Sequence, residues 1–240
     1  MVSLKQKSGA QAKANGHTLE EEIADWMTSM KDVIHTVDGG NDTKRDILNH
    51  HQDLFYSHKS VSGKNTQCHL TSSNVWCTYF GISGELKKWF DLFFGVPHTD
   101  ISHGSNRQHR VTKTMIPVLL NQKALDWFNS HKVEIFDAIV RKGIYQDKKT
   151  KLIFQGDPVT HLSWYNKASK DFTAIEYYSM DDLLDLVKSG EWVLNETTLH
   201  FIDANNNKLF HLQMKGSGKR YSSSYHSLMF HIHKPYVDRA

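Results

Sequence analysis

Between Asp46 and Lys59 the chain has to double back. Two short apolar runs, Ile47-Leu48 and Leu54-Phe55-Tyr56, flank the polar tetrapeptide His50-His51-Gln52-Asp53, the pattern of a β-hairpin that turns at about position 52. Side chains alternate along an extended strand, so Ser57 and Lys59 share one face and His58 takes the other. Asp46, in the preceding strand, then comes to the side of Lys59 within the spacing Asp-x10-Ser-x-Lys. One carboxylate and one ammonium on the same side of a small sheet form the core of a metal-dependent phosphodiesterase site. By spacing alone, since the motif is a weak one, the better reading is a cross-strand ion pair worth about a few tenths of a kcal/mol.

The chain has 240 residues, of which 39% are hydrophobic and 11% aromatic, which suits a globular protein with a substantial core. No run approaches a membrane-spanning length and the N-terminus lacks a signal-type apolar segment, so no membrane partner is expected. Cys68 and Cys77 make neither a disulfide framework nor a zinc site, which suits a reduced, cytoplasmic setting. Sixteen histidines are present, yet no HExxH or comparable His/Cys spacing appears. The net charge of +3 hides a segregation. Acids gather at Glu20-Glu21-Glu22, Asp25 and Asp181 to Asp185. Bases gather in irregular stretches, at Lys59 and Lys64, Arg107 to Lys113, Arg141 to Lys151, and Lys215, Lys219 and Arg220. Basic loops on a balanced protein suit a polyanion-binding surface, or else ordinary solvated charge.

Residues 1–16 read as a flexible basic arm. A first helix is expected from Thr18, with Glu21 closing a capping box and Leu19, Ile23, Met27, Met30 and Ile34 as its apolar stripe. Gly39-Gly40 precedes the hairpin, and Ser60 to Thr66 forms a loop before a short strand at about 67–71. A helix N-capped by Ser83 packs through Leu86, Trp89, Phe90 and Phe93, and 96–110 is a polar loop. Further helices are expected at about 118–130 and 133–142. Strands follow at about 151–155, 159–165, 173–178, 192–195, 199–203, 208–214 and 226–233, with a helix between Ser179 and Gly190. The fold class is mixed α/β, with a strand-rich second half.

Hydrolysis of a phosphodiester needs a divalent cation to polarise the phosphate and activate water, plus a positive charge near the developing anion. Asp46 supplies an oxygen ligand suited to Mg²⁺, Lys59 could orient the water or neutralise the phosphate, and the His58 backbone carbonyl is a further ligand. Position 57, where a second carboxylate would help, is serine. Glu20 is the alternative, since its helical neighbours Ile23, Ala24 and Met27 turn it inward; the bland reading is a boundary residue with its carboxylate in water.

The order helix, Gly-rich loop, strand, turn, strand resembles the MspI-like type II restriction endonucleases, monomeric enzymes of the PD-(D/E)xK nuclease superfamily. LEEEIADWM resembles their first catalytic helix, GGNDTKRDIL the segment ending in the metal-binding aspartate, SHKSVSGKNTQ the strand with the catalytic lysine, and GISGELKKW the helix after it. LFHLQMKGSGKRYSSSYHSLMFHI resembles a strand–loop–strand that reads DNA. The resemblance implies a restriction-endonuclease-like core with a central mixed sheet flanked by helices, divided as a catalytic part at 17–110 and a DNA-recognition part at 111–240. It implies a bacterial, Mg²⁺-dependent monomer that cuts double-stranded DNA at a short, four-base-pair palindrome, with a cognate methyltransferase as genetic companion. Asp46 and Glu20 become metal ligands and Lys59 the catalytic lysine, while Ser57 stands where relatives carry Glu, Gln or Asn. Lys64 would hold phosphate, and Asn65 and Gln67 would reach base edges. Lys215, Lys219 and Arg220 would contact a groove or backbone, and His231 aligns with a base-reading lysine. A repair or recombination nuclease of the same superfamily, and a DNA-binding protein that Ser57 has left without cleavage, remain alternatives.

Overall fold

In the computed structural model, residues 4–31, 35–37, 44–94, 110–214 and 227–236 are described, with side chains from His17 onward except that of Lys31. In chain order they form α1 (Leu4–Lys31), β1 (His35–Val37), β2 (Ile47–Asn49), β3 (Leu54–Val61), β4 (Asn65–Ser72), α2 (Ser73–Tyr79), α3 (Gly84–Phe93) and α4 (Val118–Ser130). Then come α5 (Lys132–Ile135), running on as a π-helix over Phe136–Lys142, and β5 (Ile144–Gln146), β6 (Ile153–Gln155), β7 (His161–Asn166) and β8 (Glu176–Ser179). The chain closes with α6 (Met180–Ser189), β9 (Glu191–Leu194), β10 (Leu199–Ile202), β11 (Lys208–Met214) and β12 (Ser227–His233). This is the mixed α/β class the sequence leads one to expect. None of the described helices is long and apolar enough to cross a membrane.

Two compact units emerge, and they cut the chain elsewhere than 17–110 and 111–240. The first joins 1–62 to 157–180, and the second joins 63–156 to 181–240. The reason is one non-local pairing: β3 lies parallel to β7, with Tyr56 opposite His161 and Val61 opposite Asn166. That pairing draws a segment of the second half into the first unit's sheet.

The first unit's sheet has the order β1-β2-β3-β7-β8, antiparallel except at β3–β7. The hairpin sits where expected, with Ile47 opposite Tyr56 and Asn49 opposite Leu54. Its turn is fixed by the buried Asn49, whose Oδ1 accepts from the backbone N–H groups of His51 and Gln52 at 3.0 and 3.1 Å. Asp53 closes the turn with φ 51°, a left-handed conformation that Asp tolerates better than most residues. α1 buries Ile23, Ala24 and Met27 in a cluster with Ile47, Tyr56, Tyr165 and Ile175.

Two expectations for α1 are corrected. The helix begins at Leu4, so residues 4–16 are helical and not an arm, and Thr18 and Glu21 lie inside it. The Lys, Gln and Ala residues there are good helix formers and outweigh Gly9 and Gly16, each of which costs about 1 kcal/mol. A capping box has no function where the backbone N–H groups are already bonded within the helix. Met30 is 63% exposed, so the buried stripe stops at Met27; Ile34 lies outside the described residues.

The second unit is built on an antiparallel sheet of order β4-β12-β11-β10-β9, with the β5–β6 hairpin beside it. Its core is aromatic. Trp89 stacks on Phe93 at 4.6 Å, Phe90 on Phe128 at 5.6 Å, and Trp192 meets Phe201 and Phe230 edge-on. All seven rings are buried, and such packing adds about 0.5–1.5 kcal/mol per pair to the burial of the rings. α3 begins at Gly84 after Ser83, whose side chain makes no capping bond. The segment 95–109, and with it almost all of the expected polar loop, lies outside the described residues.

Candidate active site

Asp46 stands one residue before β2, and its backbone N–H donates to the Tyr56 carbonyl at 2.8 Å, extending the ladder by one step. That fixes the Asp46 side chain against β3. Its Oδ2 accepts three donors: the His58 backbone N–H at 2.7 Å, the Lys59 ammonium at 3.2 Å and the Ser57 hydroxyl at 3.4 Å. None of the described residues donates to Oδ1. One oxygen is thereby held, and among the described residues the other keeps its lone pairs available. The Lys59 side chain is 12% exposed and that of Asp46 25%. The pair is therefore mostly withdrawn from water, where a charge interaction is stronger than at an open surface.

Lys59 also donates to the His58 carbonyl at 2.9 Å, which fixes its ammonium between that oxygen and the carboxylate. His58 itself faces the other way, as alternation requires. Its Nδ1 bonds the Ser163 hydroxyl at 2.8 Å and its Nε2 the Ser60 hydroxyl at 2.7 Å. With both nitrogens engaged and the ring buried, His58 can offer an ion its carbonyl but not its imidazole. Burial first, and then the Lys59 charge, lower the ring's pKa to about 4, so it is neutral at pH 7.

Glu20, in the second half of α1, lies within electrostatic reach of this pair. Its pKa is raised, first by burial and next by the Asp46 charge, against the opposing pull of His17 and Lys59. A carboxylate whose ionisation is disfavoured by burial and by a neighbouring carboxylate is what a cation relieves. Mg²⁺ takes one or two carboxylates and keeps several waters. The residues present fit that demand through Asp46 Oδ1, Glu20 and the His58 carbonyl. Among the described residues no set of three or more His, Cys, Asp or Glu side chains is placed to hold a metal.

Sequence reasoning therefore finds Asp46, Ser57, His58, Lys59 and Glu20, and the fold brings them together in the first unit. Four supporting groups escape it. His17 Nδ1 lies 3.3 Å from Glu20 Oε2, an i,i+3 pair that helical spacing alone would have revealed. Ser60 and Ser163 fix the His58 ring, and Ser163 is reachable only through the β3–β7 pairing. Arg45 donates to the Pro158 carbonyl at 3.2 Å and lies over the Phe55 ring at 3.8 Å, tying down the chain just before Asp46.

In the second unit Lys64, Asn65 and Gln67 are exposed. Gln67 is the register partner of His231 across β4–β12, beside a bulge at Phe230/His231. His231 is stacked on His211 at 4.3 Å and receives the Gln213 amide at 3.2 Å. Lys215, Lys219 and Arg220 lie outside the described residues.

No family model matches the sequence, and no curated protein matches it. Among solved structures, the chain is similar to the restriction endonuclease MspI in a crystal structure with its cognate DNA. The TM-score is 0.47 at 13% identity, over 83% of this chain and 70% of that one.

Proposed function

We propose that this chain is a Mg²⁺-dependent endonuclease that cuts double-stranded DNA at a short palindromic sequence. The observation that carries the reading is the arrangement of Asp46 and Lys59: three donors aimed at one carboxylate oxygen, the other oxygen free of described donors, and an ammonium 3.2 Å away. The resemblance of the hairpin, first helix and C-terminal strands to the MspI-like enzymes points the same way.

In this reading Asp46 Oδ1, Glu20 and the His58 carbonyl hold the cation. When bound, the cation would polarise the scissile phosphate and lower the pKa of water. The His58 N–H and Ser57 hydroxyl keep the Asp46 carboxylate in one orientation, so little reorganisation is needed during reaction. Lys59 places its charge where negative charge grows on the phosphate. Ser57 is too short to reach an ion as glutamate would, which leaves the second carboxylate to Glu20. Lys64 pairs with phosphate, and Asn65, Gln67 and His231 meet base edges.

Digestion of phage DNA with the protein and Mg²⁺, followed by sequencing of the ends, tests the reading. Discrete fragments sharing one palindrome at their ends are expected. Nicking confined to junctions or free ends would replace sequence recognition with structure recognition.

A second reading has its own support, the serine at position 57 and the absence of a three-carboxylate set among the described residues. It makes the protein a sequence-specific DNA binder without cleavage. A shifted duplex that stays intact in both Mg²⁺ and Mn²⁺ would establish it.

Glu20→Gln keeps the side chain's size and removes its charge. The Mg²⁺ concentration for half-maximal cleavage should rise by about tenfold or more, as when a metal site loses a supporting group. An unchanged Mg²⁺ dependence would take Glu20 out of the site.

A further inference from the structure

The sheet of the second unit carries four histidines on strands β10 to β12. His200 is the register partner of His211, and His211 of His231, while His233 is two residues further along β12. The rings touch. His211 and His231 lie parallel at 9° with centroids 4.3 Å apart, and His233 meets His211 at 5.0 Å.

Each polar contact in this cluster uses a ring lone pair. His211 Nδ1 and His233 Nε2 are 2.8 Å apart, a bond in which only one nitrogen can carry the proton. The Gln213 amide nitrogen, a donor only, lies 3.2 Å from His231 Nε2, which must accept. The Lys208 ammonium, also a donor only, lies 3.5 Å from His200 Nε2, a nitrogen that the Thr198 hydroxyl approaches to 2.7 Å. A second proton on His200, on His231, or on whichever of His211 and His233 accepts turns an acceptor into a donor facing a donor.

We propose that this histidine face is an acid switch: the four neutral rings help hold β10, β11 and β12 together, and proton uptake loosens them. The surrounding charges strengthen it. The described charged side chains felt by the rings are Lys208, toward His200, His211 and His233, and Arg110, toward His231, all of which oppose protonation. Burial and these charges lower His200 and His233 to about 4 and His211 to about 2, and His231 is lowered as well. A ring that resists protonation when folded but not when unfolded stabilises the fold above its ordinary pKa. That contribution is lost as the pH falls from 6.5 towards 4. Because Gln67 and His231 are the proposed base readers, the meaning of the switch for DNA rests on the proposed function. The switch itself does not.

Hydrogen exchange of peptides covering β11 and β12, measured on the full chain without DNA from pH 8 to 5 and corrected for intrinsic rates, tests it. The opening constant should rise below about pH 6.5. In the double variant His211→Asn, His233→Gln, which keeps a donor and an acceptor without titrating, the rise should be shallower by about tenfold per pH unit for each ring removed. Equal slopes in the two proteins would overturn the proposal. Imidazole NMR of the unaltered chain gives a second readout, needed if the variant fails to fold. Rings still neutral near pH 5.5 support the switch, and titration near 6.5 with unmoved sheet amides refutes it. Unequal slopes in a protein that never cuts DNA would sink the proposed function and leave the switch standing.

Discussion

Replacing Asp46 by alanine is expected to lower Mg²⁺-dependent cleavage by about a thousandfold or more, since several kcal/mol of charge stabilisation depart with the cation. Sequence-specific binding should persist, because Asn65, Gln67 and His231 lie on β4 and β12 and Lys64 lies in the bend before β4. Alanine also leaves the His58 N–H without its acceptor and takes one of its acceptors from the Lys59 ammonium. A loss of activity could then come from a disturbed hairpin. Asp46→Asn separates the two causes: its amide oxygen still accepts from His58, but it offers an ion no charge. The asparagine variant should be folded, inactive and able to shift duplex DNA. Cleavage within about tenfold of the unaltered protein, a difference of only 1.4 kcal/mol, would remove Asp46 from the reaction.

Lys59→Ala should reduce the maximal rate by roughly a hundred- to a thousandfold, the usual loss when one group aimed at developing charge is deleted. Here the carboxylate stays in place, since the His58 N–H and the Ser57 hydroxyl still hold Asp46. The Mg²⁺ requirement should therefore change little while the rate collapses, the reverse of the pattern expected for Glu20→Gln. Single-turnover cleavage measured across a Mg²⁺ series distinguishes the two. Lys59→Arg is not a safe rescue, because a planar guanidinium cannot occupy the point between the His58 carbonyl and Asp46 as an ammonium does. If Lys59→Ala cut at the unaltered rate, the lysine would be no more than an ion-pair partner.

The grouping of Asp46, Ser57 and Lys59 was legible because it is local. A four-residue turn between two apolar runs sets register, register sets facing, and facing brings Asp46 to Ser57 and Lys59. Helix α3, with its buried face of Trp89, Phe90 and Phe93, was equally readable, and so were the regularly spaced strands β9 to β12. Short elements were not. α2 follows β4 without a break, and its one signal is Ser72, whose hydroxyl accepts from the Val75 N–H at 3.1 Å. β5 is only three residues long. The division into units was illegible for a different reason: no local pattern announces that β7, about a hundred residues away, will lie beside β3. Ser163, which holds the ring of His58, went unseen with it.

That pairing has a consequence for how the protein is made. Until the ribosome has passed Asn166, the strand that bears Lys59 has no neighbour on its β7 side, and the ring of His58 has no partner from Ser163. Closing so long an intervening stretch is an entropic burden that local contacts cannot lighten. The second unit likewise gains its last segment, 181–240, only after 157–180 has been made. Nascent chains that stop early would carry the hairpin and its lysine but not the sheet that aims them.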